Sequence, residues 1–188
     1  MKRTVTKEIK PGMKQATHNV VLATILLVST SPLLAVADDL SGEAEKAIKV
    51  LQNADSGLTN CFSQAAGFAV FPSVGKGGLI FGGEHGNGIV YEKGKPIGEV
   101  TLTEVNVGPQ VGGQSFYEVI FFETSEALAN FKQGNFEMSA EVSAVAAAEG
   151  ASLNAKYRDG VMVFTLPRSG LMVQASIGGQ KFKYKQVN

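Results

Sequence analysis

The chain has 188 residues with 17 basic and 17 acidic side chains, a size typical of one globular domain with one core. Residues 1–37 hold five basic residues and one acidic residue, so 12 basic and 16 acidic residues remain beyond them, a net charge of −4. Such a mildly acidic domain lacks the clustered basic field that nucleic acid binding usually needs, and we expect no nucleic acid partner. The single cysteine, Cys61, excludes an internal disulfide, and we expect it to be a small buried side chain.

The first 37 residues have the three parts of a secretory signal peptide. Basic residues precede an apolar run at 20–28, and Pro32 and the small-residue ending Ala35-Val36-Ala37 follow. We therefore expect cleavage near Ala37 and a periplasmic or secreted location for residues 38–188. The alternative is an uncleaved anchor, because residues 20–37 approach the roughly 20 apolar residues that span a bilayer. Pro32 and several hydroxyl residues make this run a poor span.

Residues 38–56 predict a short amphipathic helix, the first element of the mature domain. The apolar residues fall at the spacing of one helical face. Acidic residues come early and lysines late, which suits the helix dipole, and Gly57 ends the segment. The apolar face consists of Leu40, Ala44, Ala47, Ile48 and Leu51.

Residues 62–188 form a β-rich core in which short apolar runs are separated by glycine, a pattern that predicts strands joined by tight turns. Residues 86–88 and 93–95 are expected to be hairpin turns, because glycine and asparagine accept positive φ. The predicted strands of this first part are residues 68–71, 79–81, 89–92, 99–105 and 116–123.

A brief helix that Thr124 caps and Gly134 ends is expected to interrupt the sheet. Apolar and polar residues then alternate strictly from 135 to 144, which predicts a half-buried strand. Residues 146–151 fit either a helix, which alanine favours, or a continuation of this strand. Further strands are expected at residues 161–166, 171–177 and 181–185.

The glycine clusters do not match the loops that bind phosphates or dinucleotides. Residues 75–78 lack the earlier glycine and the following Ser or Thr of a P-loop. Residues 86–88 lack the third glycine of the dinucleotide fingerprint, where Tyr91 stands instead. We expect no cofactor.

Catalytic and metal-binding residue types are scarce beyond residue 37. His85 is the single histidine there, and we expect it on the surface of a hairpin turn. One histidine and one cysteine cannot supply a Cys/His zinc site or a Ser-His-Asp catalytic set, so we expect neither a metal nor enzymatic activity. A hydrolase that uses Glu84, Glu92 or Glu99 stays open, although solvated positions are the favoured interpretation.

Three lysines alternate with aromatic residues near the C-terminus, namely Lys181, Lys183 and Lys185. In a strand their ammonium groups share one face at intervals of about 6–7 Å. Such a row either meets anionic headgroups or guards a sheet edge, and edge protection is the commoner role.

An ordered series of motifs resembles the SYLF-domain family in its bacterial, exported form. The likeness begins with GFAVFPSVGKGG at residues 67–78 and extends over nearly the whole mature domain. The other matching motifs are GG (82–83), GNG (86–88), GGQ (112–114), FF (121–122), NFK (130–132), GNFE (134–137), VFT (163–165), GLM (170–172) and ASIGGQKF (175–182).

The resemblance implies a non-enzymatic lipid-binding module. We expect an α+β fold in which an antiparallel, partly barrel-like sheet carries short flanking helices. Anionic lipid or a membrane surface is the expected partner, contacted by Leu40, Ile48 and Leu51 and by Lys181 and Lys183. The alternative is a structural protein of the envelope that binds a protein partner through exposed strand edges. Actin, a partner of some members of the family, is not expected for an exported bacterial protein.

Overall fold

The structure is a computed structural model that describes residues 32–77, 81–107, 114–134, 136–169 and 177–187. The helices of this part of the chain are α1 (Pro32–Ala54), α2 (Leu58–Gln64) and α3 (Ser125–Phe131), with a 3-10 turn at Ala151–Leu153. The strands are β1 (Gly67–Gly77), β2 (Phe81–Glu92), β3 (Lys95–Val107), β4 (Gln114–Phe122), β5 (Phe136–Glu137), β6 (Ala144–Ala146), β7 (Val161–Ser169) and β8 (Lys181–Gln186).

The eight strands form one sheet in the order β5-β8-β3-β2-β1-β4-β7-β6. Neighbouring strands are antiparallel except β6 and β7, which are parallel. The sheet curls into a half-barrel, and the helices flank it. The predicted α+β fold with a partly barrel-like sheet is confirmed, with one parallel pair at its edge.

A contact between Phe71 on β1 and Phe182 on β8 shows how strongly the sheet curls. The ring centroids are 5.9 Å apart although β2 and β3 lie between the two strands. Neighbouring strands are about 4.8 Å apart, so a flat sheet would separate β1 and β8 by about 14 Å. We call this concave side the inner face. Its core side chains include Ala69, Phe71, Val100, Leu102, Phe116, Ile120, Phe122, Val163 and Phe182, and α3 adds Leu128 and Phe131.

Helices α1 and α2 pack on the opposite side of the sheet, the outer face. Phe62 of α2 lies edge-on to Phe68 and Phe121, with both pairs of ring centroids 4.9 Å apart. The outer-face core includes Ala44, Ala47, Leu51, Leu58, Phe68, Val70, Ile89, Tyr91, Val119, Phe121 and Phe164. Both faces of the central strands are therefore buried. Among the described residues no helix combines the length and apolarity needed to cross a membrane.

Several predicted elements are confirmed, and others lie outside the described residues. The strands predicted at residues 68–71, 99–105 and 161–166 lie within β1, β3 and β7. Thr124 caps α3 as expected, because its Oγ1 accepts a hydrogen bond from the Ala127 amide at 3.1 Å. Lys93 and Gly94 form the expected turn with φ values of 52° and 74°, and the strand predicted at residues 181–185 is β8. Residues 1–31, 78–80 and 170–176 lie outside the described residues, and with them most of the predicted signal peptide and of two predicted strands.

The first helix begins earlier than predicted. It starts at Pro32, six residues before the expected start at residue 38, and it ends at Ala54. Proline at the first helical position is favourable because its missing N–H has no intrahelical acceptor there. The predicted cleavage position at Ala37 therefore lies within the helix of the uncleaved chain.

The prediction of a turn at residues 86–88 is wrong. Strand β2 runs through them without interruption and pairs with β1 and β3 on both sides. A Cβ on Gly88 would lie 2.5 Å from the Val70 carbonyl oxygen and 2.7 Å from Phe71 Cδ1. This glycine serves close packing rather than a positive φ. His85 therefore lies exposed within β2 and not in a turn.

The strand predicted for residues 135–144 is also largely wrong. Only Phe136 and Glu137 form strand β5, and a turn follows before β6 begins at Ala144. Met138 and Val142 are both buried in the inner-face core, but the chain bends between them, with the Val142 amide bonded to the Ser139 carbonyl at 3.1 Å. The alternation of apolar residues predicted their burial correctly but predicted the wrong backbone conformation. The ambiguous alanine segment continues as coil to the 3-10 turn.

We expect Gly88→Ala to destabilise the fold by about 1–3 kcal/mol, because the added methyl group meets fixed backbone of β1. Gly42→Ala is the matched control, since nothing lies within 4 Å of that position on α1. Alanine is the better helix former there, so this variant should gain about 0.5–1 kcal/mol. Urea unfolding measures both. Equal stability of the two variants would contradict the packing role of Gly88.

Candidate functional site

The structure places the three predicted lipid-contact residues of α1 against the protein's own sheet. Leu51 is fully buried in the outer-face core, and Leu40 and Ile48 are partly buried beside it. The exposed side of α1 carries Glu43, Glu45, Lys46 and Lys49. Contact between the apolar side of α1 and acyl chains therefore requires α1 to leave the sheet.

Asp55 fixes the end of α1 to a distant part of the chain. This carboxylate is fully buried and accepts hydrogen bonds from the amides of Gly57, Gly150 and Ser152 at 3.0, 3.4 and 2.7 Å. The Ser152 hydroxyl donates a fourth, at 3.0 Å. Next to it, Ser56 Oγ donates to Glu149 Oε1 at 2.8 Å. These bonds join the start of the domain to the 3-10 turn.

The hydrogen bonds to Asp55 decide its pKa. Burial by itself raises the pKa of this carboxyl group, but the bonds from Ser152, Gly57 and Gly150 outweigh burial and lower the pKa below its ordinary value. A lowered pKa means that the carboxylate stabilises the folded state above its ordinary pKa. This contribution is lost as the pH falls through the lowered value.

We expect Asp55→Ala to lower the free energy of unfolding by about 2–3 kcal/mol at pH 7, because buried donors lose a charged acceptor. The difference from the wild type should shrink in strongly acidic buffer, where Asp55 itself is protonated. Asp39→Ala on the exposed side of the same helix is the control and should change little. Guanidinium unfolding at several pH values measures this, and an equal effect of both variants would contradict the proposed anchoring role of Asp55.

The predicted row of lysines lies at one side of the sheet. Lys181, Lys183 and Lys185 are exposed on β8, opposite Thr103, Thr101 and Glu99 of β3. Lys181 Nζ lies 3.7 Å from Glu137 Oε2, and both side chains are well exposed, so this ion pair contributes little. We call these three residues the lysine row.

The lysine row borders a surface groove of about 410 Å³. Its lining residues are Thr103, Phe136, Glu137, Lys181, Phe182 and Lys183. The structure thus brings Lys181 and Lys183 together next to two aromatic residues whose rings pack in the inner-face core. It does not bring them to Leu40, Ile48 and Leu51, because α1 packs on β1 and β2 while β8 lies beyond β3.

Three carboxyl groups and one amide lie buried on the inner face, near one end of the half-barrel. Glu84 on β2, Glu104 on β3 and Glu118 on β4 are 2%, 6% and 0% exposed. Gln180 Nε2 donates to Glu84 Oε2 at 2.9 Å and to Glu118 Oε2 at 3.2 Å. We call these four residues the acid cluster.

Burial is the main cause that raises the pKa of Glu118 to about 8; the hydrogen bond from Gln180 opposes this rise, and the neighbouring charges of Glu84 and Glu104 add to it. Glu118 is therefore protonated at neutral pH. Its Oε1 and the Oε1 of Gln180 have no hydrogen-bond partner among the described residues. The inner face thus contains a protonated carboxyl group, that of Glu118, next to two other acids within an apolar core.

The three glutamates that the sequence left open as catalytic residues of a hydrolase do not lie together in the structure. Glu84 is buried on the inner face, Glu99 lies opposite Lys185, and Glu92 lies 3.7 Å from Lys132. The expected solvated position of Glu84 is wrong, because β2 continues through the predicted turn and directs this side chain inward. Within the described ranges no group of three or more His, Cys, Asp or Glu residues is placed to hold a metal ion.

Sequence reasoning missed Glu104 and Glu118. Glu118 stands between Phe116, Ile120 and Phe122, all buried on the inner face, so strand alternation alone places its side chain inside. That signal was available in the sequence. Cys61 is half-buried, and burial followed by the charge of Asp55 raises the pKa of its thiol, which keeps it in the unreactive form.

A raised pKa at Glu118 predicts that the protein is most stable in mild acid. The folded state holds this proton more tightly than the unfolded state, so the contribution is complete below the ordinary pKa of 4.5 and is lost as the pH rises through about 8. We expect Glu118→Gln, which keeps the shape and stays neutral, to be at least about 1 kcal/mol more stable than the wild type at pH 8.5. The two should be nearly equal at pH 4.5.

Urea unfolding between pH 4.5 and pH 9 tests this expectation. Glu141→Gln, at an exposed position, is the matched control and should follow the wild type at every pH. A Glu118→Gln profile parallel to that of the wild type would mean that Glu118 does not titrate as described.

Fold and site together define a small α+β module, a helix-covered half-barrel with a row of lysines at one side and acids in its interior. The family described as "Ysc84: Las17-binding protein actin regulator" matches residues 103–187. Beta cell expansion factor A of Aeromonas veronii is 30% identical to this chain over 142 residues, which are 74% of this chain and 53% of that protein. Over these residues the chain is similar to the SYLF (Ysc84) family, and the resemblance seen in its motifs is confirmed. It spans about half the length of the curated relative that it matches.

Proposed function

We propose that this chain is a non-enzymatic, lipid- or membrane-associating protein of the bacterial periplasm. The observation that carries the proposal is the lysine row beside the groove lined by Phe136 and Phe182. The similarity to the SYLF family supports it, because this resemblance implies lipid binding. The signal-like sequence of residues 1–37 supports the location.

The lysine row has the geometry to meet a layer of anionic headgroups. Alternate residues of a strand lie about 6–7 Å apart, so three ammonium groups on one face can each contact a separate phosphate. A lysine near an anionic bilayer contributes about 1 kcal/mol to attraction. Because the domain is acidic as a whole, this attraction must be local and should weaken at high salt.

The groove supplies the apolar part of the contact. Phe136 is only partly buried and lines the groove together with Lys181 and Lys183. An aromatic ring next to cations suits the boundary between headgroups and acyl chains. In this proposal the groove side approaches the bilayer first, and α1 stays docked at that stage.

Charge reversal tests the proposed contact. Lys181→Glu with Lys183→Glu should lower affinity for vesicles of phosphatidylglycerol at least about tenfold, because two attractions become repulsions. The matched control is Lys156→Glu with Arg158→Glu, the same change of charge at exposed positions near the far edge of the sheet. Cosedimentation at low and high salt measures binding. Equal loss in both double variants would show that net charge, and not the lysine row, governs binding.

A protein partner is the second candidate function, and the edge of the sheet favours it. Strand β5 pairs only with Phe182 and Lys181, so residues 183–186 of β8 have no strand beside them on that side within the described chain. An extended segment of another envelope protein could add a strand there. Binding that ignores lipid composition, together with a protein that reproducibly copurifies, would favour this function. We do not propose actin as the partner.

A further inference from the structure

A short segment closes the inner face and leads directly into the lysine row. Residues 177–180, which we call the strap, precede β8 without strand pairing of their own. Two backbone hydrogen bonds join the strap to Met138. The Gly179 amide donates to the Met138 carbonyl at 3.0 Å, and the Met138 amide donates to the Gln180 carbonyl at 2.8 Å. The third attachment is the Gln180 side chain, whose amide bridges Glu84 and Glu118.

The surroundings of Glu118 make the closed position of the strap sensitive to protons, because burial and two neighbouring acids oppose the charged form of Glu118 more than the Gln180 hydrogen bond favours it. Besides burial, which is the largest influence, the groups that determine its charge are Gln180 from the strap, Glu84 from β2 and Glu104 from β3. The residues opposite it in the flanking strands are Phe71 of β1 and Thr165 of β7, and neither is ionisable. A proton that leaves Glu118 therefore adds a negative charge beside two other acids in a site that excludes water.

We propose that the acid cluster is a proton-controlled latch: while Glu118 holds its proton the strap stays closed, and loss of that proton in alkaline solution releases the strap from the inner face. The proposal that this release regulates membrane contact rests on the function proposed above. Release itself does not depend on that function.

In this proposal the strap is the part that moves, because the three acids of the cluster are held in long strands. Strand β4 is paired on both sides by β1 and β7, and β2 is paired on both sides by β1 and β3. Glu104 lies near the end of β3, paired with Glu84 of the neighbouring strand β2. Admitting water by moving the strap breaks a few hydrogen bonds, whereas moving a central strand breaks many.

Release of the strap would uncover apolar side chains next to the lysine row. Ile177 and Phe182 are 1% and 2% exposed, and both belong to the inner-face core together with Met138. Apolar side chains beside Lys181 and Lys183 would join the two components that a membrane-binding surface combines. The latch would therefore convert a lysine-edged surface into an amphipathic one.

Hydrogen exchange of the full chain tests the latch without a membrane. Once corrected for the intrinsic effect of pH, opening of the strap, residues 177–180, should increase roughly tenfold to a hundredfold between pH 6 and pH 9 in the wild type. Glu141→Gln should behave like the wild type, and Glu118→Gln should remain protected at both pH values. Protection that is independent of pH in the wild type, or a rise in Glu118→Gln equal to that of the wild type, would overturn the proposal.

A second variant keeps the test decisive if Glu118→Gln does not fold. Glu104→Gln removes one repelling charge and leaves both hydrogen bonds of Gln180 in place. It should reduce the increase in exchange between pH 6 and pH 9. An undiminished increase would show that repulsion within the cluster does not open the strap.

Vesicle binding separates the latch from the proposed function. Phosphatidylglycerol vesicles should bind the wild type several-fold more tightly at pH 9 than at pH 6, and Glu118→Gln equally at both. Exchange that responds to pH without vesicle binding at either pH would refute the membrane function and leave the latch standing. Vesicle binding with exchange that does not change would refute the latch and leave the membrane function standing.

Discussion

The contact of Phe71 with Phe182 is possible only because the sheet curls, and most other features of the structure depend on this curl. It closes β8 over the inner face and lets α3 complete the core from the side of β1 and β4. It leaves the opposite side convex and apolar along the central strands, which is where α1 and α2 pack. A flat sheet of the same strands would have neither an enclosed interior nor room for buried acids near its end.

The two faces of the sheet use carboxylates in opposite ways. On the outer face, four hydrogen bonds hold Asp55 charged in a buried position and thereby anchor a helix. On the inner face, Glu118 receives one hydrogen bond from Gln180 and lies near two other acids, so it is held neutral at physiological pH. The number of donors that each fold position supplies, and not burial alone, decides which form of the acid is present.

The sequence correctly predicted those features that are determined within a single helix or strand. The helical face of Leu40, Ile48 and Leu51, the cap at Thr124 and the strand of the lysine row all follow from local spacing. Gly88 was misassigned because its requirement comes from β1, a neighbour that local sequence cannot reveal. The segment at Met138 was misassigned because a loop can bury alternate residues as a strand does. The acid cluster needed the pairing of β2, β3 and β4 to be known, although the burial of Glu118 could be read from its own strand.

Three hydrogen bonds, two of them described above, join residues far apart along the chain. Ser152 to Asp55, Gln180 to Glu84, and Arg168 Nη1 to the Pro72 carbonyl span 97, 96 and 96 residues. A half-barrel closed by such bonds cannot complete itself while the chain is still emerging from the ribosome, and its large loop closures favour slow folding. On the proposed export route this delay is an advantage, because the chain stays open long enough to be threaded across a membrane before its last strand arrives.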